Sequence, residues 1–177
     1  MELKPSSPWP ELFGRAQRSA IHVEVRDSYA VPAESEPFRR FLAGEPREAE
    51  PDSYWQAWAD VVKDATGRGI TVSRIRVVSE PLSDYHRWLL TETGDNIDIG
   101  EDIRYLPRHF ASADEVPTDD AWVFDGNTVA FNLVDSHGSP AGAAVTADPG
   151  VVAYYRHAID RMWSMATPYA DYNSGQR

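Results

Sequence analysis

Two arginines at two-residue spacing on a β-branched run are the clearest chemical signal in this sequence. Arg74 and Arg76 lie within Ile70 to Ser79, whose composition predicts a strand. Side chains two apart on a strand point the same way, so both guanidinium groups share one face. Arg104 falls on a later predicted strand, with Arg108 just beyond it, and Tyr85, Arg87 and Trp88 lie on an intervening helix. Guanidinium forks suit carboxylate and phosphate, and aromatic faces suit flat rings. If Arg74, Arg76 and Arg104 converge, they form a pocket for a small anion, with Glu80, Tyr85 and Trp122 as further candidate ligand-binding residues. Two other readings stay open. The arginines can be spent on salt bridges to Glu80, Glu101, Asp102 and Asp125, with Trp122 and Phe124 packed in the core. Alternatively, Glu80, Tyr85, His86 and Asp102 supply a dispersed acid–base site around the same arginines.

Other constellations fail on spacing. No two of the five histidines stand at i, i+2 or i, i+4, so a metal clamp on one strand or helix is absent, and no metal or cofactor is expected. There is no Gly-x-Ser-x-Gly elbow. Ser136-His137 lies in a predicted turn. Gly67-Arg68-Gly69 follows a helix and precedes a strand, the reverse of a phosphate-cradling loop, and reads as a helix terminator. Asp95 to Asp102 has the acids and glycine of a calcium loop, but Ile97 and Ile99 occupy ligand positions. An acidic surface loop is the expectation there.

Bulk properties narrow the partners. The 177 residues carry a formal net charge of −11, from 17 Lys+Arg against 28 Asp+Glu. Such a field repels nucleic acid and anionic membrane, so direct binding to either is not expected, and cationic or neutral partners are favoured. No apolar run is long enough to span a bilayer. The first ten residues lack the apolar segment of a secretory signal. With no cysteine, the composition fits a reducing compartment, and a cytoplasmic protein is the expectation.

Periodicity supplies the scaffold. Short helices are predicted over Pro10 to Ala20 and Pro32 to Leu42, with a strand between them in which Ile21, Val23 and Val25 alternate with His22, Glu24 and Arg26. An acidic, proline-bounded loop spans Gly44 to Pro51. A helix capped by Asp52 carries Trp55, Trp58, Ala59, Val62 and Ala65 on one side. Pro81 is expected to open a further helix that stops at Gly94. Ile103 to Leu106 is a strand. Ala121 to Asp125, Thr128 to Val134 and Ala141 to Ala147 read as a meander joined by turns at Asp125-Gly126-Asn127 and Asp135 to Ser139. Asp148 and Pro149 start a closing amphipathic helix through Val152, Tyr155, Ile159, Met162, Trp163 and Ala166. That stripe seals either the core or a dimer. The expectation is a single α/β (α+β) domain over residues 10–168: a mixed sheet with a C-terminal antiparallel meander, flanked by helices, with fraying tails at 1–9 and 169–177.

The runs Arg74 to Tyr85 (RIRVVSEPLSDY), Gly100 to Arg108 (GEDIRYLPR), Trp122 to Asp125 (WVFD) and Asp148 to Trp163 resemble an uncharacterised actinobacterial domain family, whose members are often encoded beside helix-turn-helix regulators. The strand pair and closing helix are similar to a phospholipase D-like half-domain that has lost its catalytic motif. The absence of His-x-Lys after each histidine agrees with that loss. The resemblance implies a regulatory, non-catalytic module that binds a partner protein, a DNA-binding regulator being the candidate, and a small anion as a ligand.

Overall fold

Hydrophobic alternation in the middle of the chain resolves into a sheet buried on both faces. A computed structural model describes residues 1–5, 7–48 and 52–176. Among them, eight strands form one mixed sheet in the order β1-β7-β6-β5-β2-β3-β4-β8. The parallel part is β2 (Ser19–Glu24), β3 (Thr71–Val78) and β4 (Glu101–Pro107). The antiparallel part is the meander β5 (Ala121–Phe124), β6 (Thr128–Val134) and β7 (Pro140–Thr146). β1 (Glu2–Lys4) pairs with β7, and β8 (Thr167–Pro168) pairs with β4, both antiparallel.

Six α-helices among the described residues flank this sheet. One face packs α1 (Trp9–Arg15) and α3 (Ser53–Gly67) against Ala20, Val72, Trp122, Phe124, Ala130 and Ala143. On the same face, Leu90 of α4 (Asp84–Asp98) and Tyr172 of α6 (Tyr169–Gly175) pack against Val78, Ile103 and Tyr105. The short α2 (Ser35–Leu42) leans Phe38 and Phe41 on Tyr85 and Trp88 of α4. The opposite face is covered by α5 (Pro149–Met165), whose Val152, Tyr155, Ile159 and Met162 join Val23, Ile75, Val77, Leu106 and Val123. The α5 stripe therefore seals the core of its own chain.

Local chemistry sets the element boundaries. The Asp148 carboxylate accepts from the Gly150 and Val151 amides at 2.9 and 3.1 Å, satisfying orphan donors at the start of α5. Asp52 does the same for Trp55 at 2.7 Å. The helix expected to open at Pro81 begins at Asp84 instead, because the Ser83 hydroxyl provides the cap by accepting from the His86 amide at 3.1 Å. That helix also passes Gly94 and runs to Asp98. Gly94 thus does not end the helix, and an added Cβ there would meet the Tyr169 hydroxyl of α6 at 3.7 Å, an ordinary contact. The stretch Asp95 to Asp102 is therefore not an acidic surface loop: it is helix to Asp98, a turn at Ile99 and Gly100, and strand from Glu101, which is buried.

Both ends carry regular structure where fraying was the expectation. β1 extends the sheet, and Tyr172 of α6 is buried, stacked on Tyr105 with ring centres 4.7 Å apart. Ser6, Arg177 and the last three residues of the Gly44 to Pro51 loop lie outside the described residues. The attachment of β1 depends on Gly142, which adopts φ +115°, and a Cβ there would stand 2.2 Å from the Lys4 carbonyl oxygen. Gly142→Ala is therefore expected to detach β1, raising hydrogen exchange of the amides at Glu2 to Lys4 while those of β2 and β3 stay protected. Unchanged protection of β1 would show that the close approach is not required.

Candidate functional site

Register decides which of the arginines meet. Residues paired across a parallel sheet share a face, and Arg74 and Arg76 pair with His22 and Glu24 of β2 and with Ile103 and Tyr105 of β4. Arg104 pairs with Ile75 and so points to the other side. There its guanidinium lies 4.0 Å above the Trp163 ring, 3.8 Å from Asp102 and within 3.4 Å of the Trp163 carbonyl oxygen. The three arginines do not converge. The anion pocket expected from them is corrected to two separate environments.

Arg74 and Arg76 belong to a buried charge network. Glu24 accepts from Arg74 and, at 2.7 Å, from Arg76 Nε. Arg74 also reaches Glu101 at 3.0 Å. The second Glu101 oxygen accepts from Trp58 Nε1 at 2.8 Å and from Asn96 Nδ2 at 2.9 Å. Arg76 donates to the Thr93 hydroxyl at 2.6 Å and the Tyr105 hydroxyl at 2.9 Å. The Arg74 guanidinium sits 5.8 and 5.7 Å from the rings of Trp58 and Trp122. His22 stacks on Trp122 at 4.5 Å, with its Nδ1 3.3 Å from Glu24. Glu24, Arg74, Arg76 and Glu101 are all less than a tenth exposed. Two positive and two negative charges are present, and they cancel.

Acid strengths follow from this packing. Burial alone would raise the Glu24 carboxyl, but Arg74 and Arg76 outweigh it and hold the group well below 4.5. Nearby, Glu34 accepts from the Tyr85 hydroxyl, and burial pushes its carboxyl above 4.5, helped by the charge of Glu24. The Tyr85 hydroxyl is raised by burial and by Glu34. Tyr85 thus joins an aromatic group with Tyr29, Phe38 and Trp88 beside the network.

The remaining candidates scatter. Glu80, in the segment after β3, accepts from the Tyr172 hydroxyl at 2.8 Å and lies 3.8 Å from His109. Asp102 is exposed. His86 is 1% exposed, 3.8 Å from Asp27, and burial lowers its pKa. Asp27 accepts from the Ser79 amide and hydroxyl at 2.9 and 2.7 Å. Among the described residues, Glu80, His86 and Asp102 do not meet at an open surface around Arg74 and Arg76. One hollow of about 440 Å³ and another of about 270 Å³ are lined by other residues and touch none of Arg74, Arg76, Glu80, Tyr85, Arg104 and Trp122. No cluster of three metal-ligating side chains occurs among the described residues. Nor is any helix among them long and apolar enough to cross a membrane.

The residues that sequence reasoning missed are Glu24, Thr93, Asn96, Tyr105 and Trp58. The available signal was the alternation in β2, which places His22 and Glu24 on one face.

Residues 7–174 match the domain of unknown function DUF6879, and the chain belongs to that family. No curated protein matches it. Among solved structures, a phospholipase D family member, Nuc from Salmonella typhimurium, is similar in fold. The TM-score is 0.54 at 12% identity, over 91% of this chain and 88% of that one.

Two outcomes test the network. Glu24→Gln strands Arg76 with hydroxyl partners alone and is expected to cost about 3–5 kcal/mol, the range for breaking a buried pair, read from urea unfolding. A loss below about 1 kcal/mol would place the pair in water. Glu34 has the opposite sign. Its carboxyl is raised on folding, so its contribution is present below 4.5 and is lost as pH rises through the folded value. Glu34→Gln is therefore expected to raise the melting temperature at neutral pH by roughly 2–4 °C, as about 1 kcal/mol does at this chain length. The gain should vanish below 4.5, and an equal gain at both pH values would contradict the assignment.

Proposed function

We propose that this domain is a non-catalytic binding module that pairs its acidic surface with a basic partner protein. The observation that supports it is the closure of the central network. Arg74 and Arg76 are spent on Glu24 and Glu101 inside the sheet, where they hold the fold and are not free to bind a substrate anion. Because those four charges cancel, the net −11 belongs to the rest of the chain. A field of that sign accelerates and orients association with a cationic surface.

The fold likeness to a phospholipase D family member fits a scaffold whose chemistry has been replaced by packing. The partner class that the family resemblance suggests is a helix-turn-helix regulator, with its DNA-binding face as the basic surface. Occupying that face would compete with DNA.

Calorimetry with a helix-turn-helix regulator as the basic partner tests the reading. Binding is expected to weaken at least tenfold between about 50 and 300 mM NaCl, as screening shortens the reach of surface charge. No binding, or binding indifferent to salt, contradicts it. In a parallel assay, hydrolysis of bis(4-nitrophenyl) phosphate is expected to stay at the rate of buffer alone. Turnover that disappears in His86→Ala would replace the binding reading with an enzymatic one.

A further inference from the structure

The hollow of about 440 Å³ opens at the end of the sheet where β2 begins, between α1, β1 and the turn joining β5 to β6. Its volume falls in the range of small-ligand sites. Its floor is apolar: Leu12, Ala16, Phe124 and Val145 line it, and the first three are buried. Its rim is polar, with Lys4, Arg15, Gln17, Arg18, Asp125 and Asn127.

Counting which rim groups are already engaged shows what chemistry remains. Lys4 lies 3.1 Å from Glu2 and 2.9 Å from Glu11, and Arg15 lies 2.7 Å from Glu11. The Asp125 carboxylate accepts from the amides of Gln17, Arg18 and Ser19 at 2.8 to 3.2 Å. Arg18 donates one N–H to the Asp125 carbonyl oxygen at 2.9 Å and has no carboxylate partner within ion-pair distance among the described residues. Its other guanidinium N–H groups, and the side-chain amides of Gln17 and Asn127, have donors to spare. Three sets of unspent donors thus stand over an apolar floor, one of them permanently cationic.

We propose that this hollow binds a small amphipathic anion: a carboxylate on a short alkyl chain, its charge held by Arg18 and its chain on Leu12, Ala16, Phe124 and Val145. The site is separate from the buried network: none of Glu24, Arg74, Arg76 and Glu101 lines it. Because Lys4 and Glu2 of β1 form one wall, occupancy also secures the N-terminal strand.

Hexanoate is the probe, followed by amide NMR. It is expected to shift the resonances of Arg18, Asn127, Thr128 and Val145 saturably. Arg18→Gln, at an exposed position, should weaken the affinity about tenfold or more, the size of a lost charge-assisted hydrogen bond. Hexanol, which keeps the chain and lacks the charge, should bind about tenfold more weakly to the unmodified protein, an arm that needs no variant. Absence of saturable shifts overturns the proposal. So does equal binding of hexanol and hexanoate, or unchanged affinity in Arg18→Gln.

Discussion

A guanidinium group inside a sheet must meet its counter-charge there or the fold does not form. Leaving one buried and unpaired costs several kcal/mol, a large part of the stability of any domain. This chain places two such groups, Arg74 and Arg76, on its central parallel strands. Much of the architecture answers that demand. β2 brings Glu24 alongside, β4 begins with Glu101, and α3 and α4 supply the Trp58, Thr93 and Asn96 side chains that fill the remaining hydrogen-bonding positions. The aromatic rings of Trp58 and Trp122 close the network from water. The opposite face of the same strands is conventional, an aliphatic layer under α5.

Much of the framework was legible in the sequence because it rests on local signals. The capping residues Asp52 and Asp148, the meander with its Asp-Gly-Asn turn and the mixed sheet flanked by helices all follow from composition and periodicity. The site was legible only to the level of one strand. Period two puts Arg74 and Arg76 together, but register with β4 sends Arg104 to the other face, and a difference of one residue in pairing would reverse that outcome. Pairing between strands thirty residues apart leaves no mark in a single sequence. Likewise, the alternation of His22 and Glu24 is visible, yet a polar strand face reads equally well as solvent-exposed. Only the helices laid across it make it interior. The end of the chain is hard to read for the same reason: the polar composition of 169–176 conceals Tyr172, which gains its place by stacking on Tyr105.

Membership of DUF6879 and likeness in fold to a phospholipase D family member describe a scaffold, and a scaffold does not carry chemistry by itself. On this scaffold the most polar part of the interior is neutral and occupied. The binding function we propose therefore lies outside that interior, on the surface that holds the net charge and in the hollow beside β1.

The central claim is that Arg74 and Arg76 are structural cations, engaged by Glu24 and Glu101 and closed to solutes. Arginine Nε–Hε NMR spectra test it most directly. The account predicts resonances for these two side chains that exchange slowly with water and do not move when inorganic phosphate is added, in contrast to exposed Arg15. Exchange as fast as that of Arg15, with saturable movement on adding phosphate, would contradict it and restore an open anion site at the centre of the sheet.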